Sequence, residues 1–297
     1  MRHTFFCGIS ALVLAQTLSA QAVPARDLLQ FPLGAVLEPA AFAAEPGAGL
    51  WNPAAGMLAV GDRWRFGVAA LTPTADQGVD GRLISAAWRR HNGVTLNASV
   101  ARFAIANIIR TESDPTTVGE VTYNSLLVSI GASRDVIANV TVGVSARWRE
   151  GRADREVRDA VAADLGVVIH DLPWRNARVA VSSFLWRPGR EIDDRPAVVA
   201  AVDARVVGTE GREFRAGYSH NGVTRGAQED GPFAAMRLDL LEARAAFLRT
   251  TSAGHAVTRI RSGLALHFTR YVVGLAREEG ASGLGPLYQF TLSTTIR

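Results

Sequence analysis

The chain has 297 residues, a formal net charge of +4 and a hydrophobic fraction of 48%. Its basic residues apart from histidine are all arginines, and they are scattered rather than clustered, so the composition does not indicate nucleic-acid binding. The single cysteine, Cys7, leaves the rest of the chain without a thiol for a disulfide, a thiolate metal site or a nucleophile.

The N-terminal residues are typical of an export signal. Residues 1–3 form a short basic start, residues 5–15 are apolar, and Ala20-Gln21-Ala22 is a small-residue cleavage site. We therefore expect residues 1–22 to be a signal peptide and the mature chain to begin near Val23. No later stretch holds 18 or more consecutive apolar residues, which excludes membrane-spanning helices but not membrane-spanning strands.

From residue 63 onward, apolar and polar side chains alternate with a period of two. In the clearest case, residues 136–149, one set is apolar throughout and the other is small or polar, which indicates a long strand. Similar runs cover residues 63–72, 81–90, 94–100, 120–132, 160–170, 176–187, 196–207, 212–220, 235–249, 256–266, 270–278 and 288–297. Most are about 10 residues long, which is the length that a tilted strand needs to cross a bilayer.

The connections between these runs alternate in length over most of the chain. Long connections cover residues 73–80, 105–119, 151–159, 188–194 and 221–232, and short ones cover residues 91–93, 133–135 and 171–175. Long loops on one side and tight turns on the other are typical of an outer-membrane barrel.

The runs number thirteen, whereas a closed antiparallel barrel with both termini on one side needs an even number of strands. The number becomes twelve if residues 256–278 form one long strand, and fourteen if residues 233–249 contain a hidden turn. We therefore predict an all-β fold, a transmembrane antiparallel β-barrel of 12–14 strands over residues 61–297. The alternative is a soluble all-β protein, whose strands are usually about 5–6 residues long with a charged exposed face.

Two terminal motifs resemble those of a known family. Residues 38–56 are rich in alanine and glycine and contain the box Trp51-Asn52-Pro53-Ala54 just before the first strand. Residues 271–276 and 283–293 form a tyrosine-containing run, a Leu-Gly turn and a last run. Together they resemble the FadL-like outer-membrane β-barrels and, within them, the PorV/PorQ-type branch. The resemblance slightly favours fourteen strands and implies a short plug-like segment within residues 23–60, in the periplasm or the barrel lumen.

The resemblance implies two possible roles in the outer membrane of a Gram-negative-type cell, where lipid surrounds the barrel. The first is binding or transport of hydrophobic small molecules, and the second is anchoring or binding proteins of a secretion or envelope system. A soluble periplasmic all-β binding protein is a third possibility. We expect Trp51, Asn52, Pro53 and Ala54 to act as plug or ligand residues, because Pro53 disfavours helix at Asn52. A solvated turn that leads into the first strand is the alternative.

Several charged residues lie two positions apart and therefore share a face of their strand. The candidates for the lumen face are Arg63, Arg65, Asp203, Arg205, Arg237, Asp239, Glu242, Arg244, Arg259 and Arg261. They suit either cross-strand ion-pair ladders or a surface that binds anions, since arginine binds carboxylates bidentately. Tryptophans near strand ends suit an aromatic girdle at the membrane interface; these are Trp64, Trp88, Trp148 and Trp186.

The sequence does not indicate an enzyme. Ser219 and His220 are residue types found in hydrolases, but adjacent residues in a strand point to opposite faces. The histidines after the signal show no spacing typical of metal ligands, and no phosphate-binding glycine loop occurs. We therefore expect no catalytic residues, no metal site, no cofactor and no nucleic-acid partner.

Overall fold

The computed structural model describes residues 33–34, 38–44, 47–58, 64–74, 78–90, 93–111, 117–186, 197–223, 228–252, 255–279 and 286–296. Within these residues lie fourteen strands: β1 (Trp64–Pro73), β2 (Val79–Arg89), β3 (Val94–Thr111), β4 (Thr117–Ile137), β5 (Val140–Ala153), β6 (Glu156–Leu172), β7 (Ala177–Trp186), β8 (Ala197–Thr209), β9 (Arg212–Val223), β10 (Gln228–Leu238), β11 (Leu241–Ser252), β12 (His255–His267), β13 (Tyr271–Glu278) and β14 (Leu287–Ile296).

The fourteen strands form one closed antiparallel barrel in which each strand pairs with its neighbours in sequence and β1 pairs with β14. This confirms the predicted all-β antiparallel barrel and gives it the upper of the predicted strand numbers. The extra strand comes from a turn within residues 233–249, which was one of the two alternatives, because β10 ends at Leu238 and β11 begins at Leu241. The alternative of a single strand over residues 256–278 is wrong, since β12 and β13 are separate strands.

Three connections that we expected to be long are mostly strand. In the connection at residues 221–232, β9 continues to Val223 and β10 starts at Gln228. The other two are at residues 105–119 and 151–159. β3 continues to Thr111 and β4 starts at Thr117, while β5 continues to Ala153 and β6 starts at Glu156. Near the facing ends of β5 and β6 polar residues occupy both faces, and the register of β3 with β4 shifts between Ile105 and Ile108, so the period of two fades in both places. The expected connection at 188–194 lies outside the described residues, as does the predicted signal peptide.

The first tight turn after β4 also lies elsewhere than expected. Residues 133–135 belong to β4 and pair with β5, and the turn comes at residues 138–139. The hydroxyl of Thr141 donates a hydrogen bond of 2.5 Å to the carboxylate of Asp135 across this hairpin. The polar Ser-Arg-Asp sequence is therefore a strand end rather than a turn.

The two faces of the wall differ as the alternation predicts. In β1, the side chains of Trp64, Phe66 and Val68 point outward and are 41–45% exposed, whereas Arg65 and Leu71 point inward and are buried. The same pattern continues around the barrel, so the outer surface is apolar and the inner surface carries small, polar and charged side chains. We call the end where β1 begins and β14 finishes the terminus end, and the opposite end the loop end.

The core of the molecule lies inside the barrel, between the wall and the residues that precede β1. Residues 33–34, 38–44 and 47–58, here called the inner segment, contain a short helix α1 (Ala48–Trp51) and two 3₁₀ turns (Ala40–Phe42 and Ala55–Met57). Leu33, Phe42 and Leu50 pack in one buried cluster with the wall residues Phe103 and Leu127. None of the helices in the described ranges is long and apolar enough to cross a membrane.

Candidate functional site

The box Trp51-Asn52-Pro53-Ala54 lies inside the barrel and is buried. The side-chain amide of Asn52 donates to the carbonyl of Ala41 at 2.8 Å, and its oxygen accepts from the backbone N–H of Ala54 at 3.0 Å. Asn52 thus joins the two halves of the inner segment, and its hydrogen bonds replace those that water would supply to a solvated turn.

Two glycines of the wall make room for the box. Gly143 on β5 and Gly166 on β6 are directly opposite each other. A Cβ atom on Gly143 would lie 2.5 Å from the backbone nitrogen of Ala54, and one on Gly166 would overlap the amide oxygen of Asn52. Any larger residue would displace the box, so these two glycines are needed for the box to pack against the wall at this position. The sequence alone does not reveal their role, because the contact joins distant parts of the chain.

Further contacts tie the inner segment to itself and to the wall. The indole N–H of Trp51 donates to the carbonyl of Leu33 at 2.7 Å. The N–H of Gly34 donates to the side-chain oxygen of Gln289 on β14 at 2.6 Å, and Arg65 on β1 donates to the carbonyl of Gly56. Buried hydrogen bonds of this kind fix the segment's position as well as its fold.

Glu38, which the sequence analysis did not single out, joins the inner segment to the charged residues of the wall. Its carboxylate lies 3.2 Å from the Nη2 atom of Arg244 on β11 and 3.8 Å from the Nη1 atom of Arg178 on β7. The Arg178 guanidinium also lies 4.7 Å from the centre of the Phe42 ring, in cation–π geometry. One acidic residue of the segment thus contacts arginines on two separate strands.

The lumen charges near the terminus end form ion pairs between neighbouring strands. Asp203 accepts hydrogen bonds from Arg178 at 2.6 Å and from Arg215 at 2.6 Å, so it joins β7, β8 and β9. Arg205 pairs with Glu213 at 2.7 Å, and Glu242 pairs with both Arg244 and His267. Arg237 faces the lumen and stands opposite Glu213 and Glu242 in the strand register. These contacts form the cross-strand ladder, which is one of the two arrangements considered above.

A second group of lumen charges lies nearer the loop end. Arg261 lies 2.9 Å from Glu278 and 3.5 Å from Glu229, and Arg259 lies 3.3 Å from the same Glu278. A third group, missed from the sequence, is Arg147 on β5, which lies 2.6 Å from Asp164 on β6. Each of these groups pairs its arginines with carboxylates inside the barrel.

One predicted lumen charge is placed wrongly. Asp239 lies in the turn after β10, where strand alternation no longer applies, and its side chain is exposed. It accepts hydrogen bonds from Arg212 at 2.6 and 2.9 Å, and these bonds hold the pKa of Asp239 below its usual range. Arg63 lies outside the described residues.

The predicted girdle residues point outward where they are described. Trp64 and Trp88 stack at the terminus end with ring centres 5.6 Å apart, and the Arg90 guanidinium lies 5.6 Å from the Trp88 ring centre. The indole N–H of Trp148 donates to Asp159 at 3.2 Å. Trp186 is the last residue of β7, and its side chain lies outside the description. Trp174, in the turn after β6, is 67% exposed and was missed.

A small cavity lies between the inner segment and the wall. Its volume is about 30 Å³, and its lining includes Glu38, Pro39, Phe233, Arg244, Leu248 and Arg261. Space of this size holds one or two waters, whereas a cavity that binds benzene measures about 150 Å³. Between these described residues, therefore, the inner segment and the wall leave too little space for an aromatic ring.

The side chains that might suggest catalysis do not converge. Ser219 faces the lumen, while His220 faces outward and lies 2.5 Å from Asp230. The described part of the chain contains no cluster of three or more acidic, histidine or cysteine side chains arranged to hold a metal ion.

No family model matches this chain, and no curated protein sequence does. The fold is similar to that of the Pseudomonas putida toluene transporter TodX, with a TM-score of 0.62 and 11% identity over 93% of this chain and 98% of TodX. It is also similar to the monoaromatic hydrocarbon channel CymD, with a TM-score of 0.60 and 11% identity over 95% of this chain and 99% of CymD. These likenesses show a shared barrel fold, and the FadL-like family stays a prediction. The PorV/PorQ-type branch stays a prediction.

Proposed function

We propose that the protein is an outer-membrane β-barrel that admits small hydrophobic molecules and that its inner segment is the plug. The observation that carries the proposal is the burial of this segment inside a closed barrel whose outer face is apolar. TodX is named as a toluene transporter and CymD as a monoaromatic hydrocarbon channel. Their shared fold supports the same class of substrate here.

The outer surface supports a membrane location. Ile84, Ile130 and Phe247 point outward and are 67%, 65% and 56% exposed, and similar side chains surround the barrel. An apolar surface that encircles a protein is unfavourable in water and favourable in lipid, which argues against a soluble binding protein. The stacked pair Trp64 and Trp88 suits an interfacial girdle. We assign the terminus end to the periplasm because both ends of the barrel wall and several tight turns lie there.

Passage along this contact between the inner segment and the wall requires the plug to move. The cavity of about 30 Å³ is too small for an aromatic ring, but its apolar lining of Pro39, Phe233 and Leu248 suits a hydrocarbon once it is enlarged. The cavity touches Glu38 and Arg244, which attach the inner segment to the wall. A displacement of the inner segment at this contact would enlarge the cavity. It would also open a path from the cavity toward the periplasmic end.

The experiment is an uptake assay in intact Gram-negative cells. The full chain is produced in a host that lacks its own hydrocarbon channels, and the initial uptake rate of radiolabelled toluene is measured. We expect uptake faster than in cells that carry the empty vector, and no acceleration for a small hydrophilic sugar. An uptake rate equal to that of the vector control would contradict transport of this class of molecule.

A second candidate function is anchorage of a secretion or envelope protein, as the PorV/PorQ resemblance implies. It is favoured by the lengths of β3, β4 and β6, which have 18, 21 and 17 residues. Such strands exceed the 9–11 residues or so needed to cross a bilayer, so they extend the wall as a surface beyond the membrane. This role would be favoured if the full chain captures an envelope protein and a variant with a shortened β3–β4 hairpin does not. Toluene uptake by the shortened variant should then be unchanged.

A further inference from the structure

The outer face of the barrel carries two arginines in directly opposed positions. Arg82 on β2 and Arg102 on β3 are partners in the antiparallel register, and both point outward and are exposed. Their Cβ atoms are therefore about 5 Å apart, as in any directly opposed pair. Two guanidinium groups on such neighbouring stems can reach the same ligand.

Like charges in this position destabilise a sheet unless a counter-charge is present. Asp80 lies 3.6 Å from Arg82, but both side chains are exposed, so this contact contributes little. No carboxylate among the described residues pairs with Arg102. By contrast, outward-facing Arg249 stands opposite Asp230 and Thr258, and Arg277 pairs with Glu279 at 2.8 Å.

The surface next to the two arginines is apolar on the side of the terminus end. Ile84 and Val100, which are also directly opposed, are 67% and 47% exposed, and the opposed alanines Ala86 and Ala98 follow. Two residues of a strand span about 7 Å, so the surface changes from cationic to apolar within that distance. Asp80 lies on the other side, toward the loop end, and leaves the side that faces the apolar residues free of negative charge.

We propose that Arg82 and Arg102 bind the phosphate group of a membrane lipid in the leaflet at the loop end. A phosphate accepts hydrogen bonds from both guanidinium groups and supplies the missing counter-charge, and arginine suits phosphate because it binds bidentately. The acyl chains of the same lipid then cover Ile84, Val100 and the alanines below. The inference rests on the membrane location under the proposed function, but it does not depend on transport.

The test is native mass spectrometry of the full chain, purified in a non-ionic detergent and mixed with monophosphoryl lipid A. We expect the natural chain to retain one lipid, and Arg82→Gln and Arg102→Gln each to lose about tenfold in retention, as one charge-assisted hydrogen bond predicts. Arg249→Gln, another exposed outward-facing arginine, is the matched control and keeps the retention of the natural chain. Unheated gel migration shows that each variant is a folded barrel.

Three outcomes would overturn the proposal. The first is unchanged retention in the Arg82→Gln/Arg102→Gln double variant, and the second is equal retention of the same lipid without its phosphate. The third is equal binding of inorganic phosphate and of the lipid at the same concentration, which would indicate a site for free phosphate. Toluene uptake separates the two proposals. Lost retention in the double variant with unchanged uptake supports this site, and failed uptake by a natural chain that still retains the lipid affects the transport proposal alone.

Discussion

Replacing Gly143 with alanine tests whether the inner segment docks against the wall as a separate unit. The new Cβ would lie 2.5 Å from the nitrogen of Ala54, 2.5 Å from the carbonyl carbon of Pro53 and 2.7 Å from its oxygen. Because these are backbone atoms, they cannot rotate away, and the box must move by about 1 Å to restore ordinary contact distances. Overpacking of this kind is unfavourable by about 1–3 kcal/mol.

The magnitude converts directly into an open fraction. If the overpacking falls on the docked state alone, about 2 kcal/mol raises the ratio of undocked to docked segment roughly thirtyfold. Planar-bilayer recordings of the purified chain measure this ratio as the fraction of time in an ion-conducting state. The temperature at which the barrel loses its folded gel mobility measures the stability of the wall independently.

The matched control is Gly131→Ala on the neighbouring strand. Its Cβ would meet the Asn97 side chain at 2.7 Å and the Ser145 Cβ at 3.0 Å, which are both wall atoms. We expect this variant to lower the unfolding temperature with little change in conductance. Gly143→Ala should instead raise the conductance with little change in the unfolding temperature. A Gly143→Ala chain that conducts no more than the natural chain but unfolds earlier would refute the idea of a separately docked segment.

Three further substitutions test the other contacts. Glu38→Gln removes the charge that attracts Arg244 and Arg178, so we expect the fraction of time in the conducting state to rise about tenfold in planar bilayers. Glu120→Gln, at an exposed position, leaves this fraction unchanged. Asp203→Asn leaves Arg178 and Arg215 without their shared carboxylate, so we expect the free energy of unfolding to fall by about 3–5 kcal/mol and the unfolding temperature with it. Asp239→Asn, in an exposed turn, has little effect on either. Equal effects of the two substitutions would contradict the ladder. Ile130→Arg places a charge in the middle of the apolar band, and we expect it to lower the stability of the barrel in lipid by about 2–4 kcal/mol. Val136→Arg, near the end of the same strand, lowers it by about 0–1 kcal/mol. Urea unfolding from vesicles measures both values, and a larger loss for Val136→Arg would contradict the membrane orientation.

The period of two was enough to predict the barrel because one face of each strand is apolar and the other is not. It failed where that difference disappears, as at the facing ends of β5 and β6, which carry polar residues on both faces, and where the register of β3 with β4 shifts between Ile105 and Ile108. It also failed at the turn between β10 and β11, where Leu238, Leu240 and Leu241 continue the apolar pattern through the turn.

The site was less predictable than the fold. Alternation placed Glu242 and Arg244 on one face, but the partner of Arg244 in the inner segment, Glu38, is 206 residues away. Contacts at such separations depend on the register of the closed barrel and on the path of the chain inside it. For the same reason the motif around Asn52 could be recognised from the sequence, whereas its contact with Gly143 and Gly166 could not.

The most direct test of a plugged channel is the ion conductance of the chain without residues 38–56, compared in planar bilayers with that of the full chain. The deletion removes the Asn52 box and Glu38, while all fourteen strands remain. The proposal predicts a low conductance for the full chain and a steady, large conductance for a deletion variant that still migrates as a folded barrel. Equal and low conductance of the two folded chains would show that the wall alone closes the lumen, and would contradict a plug.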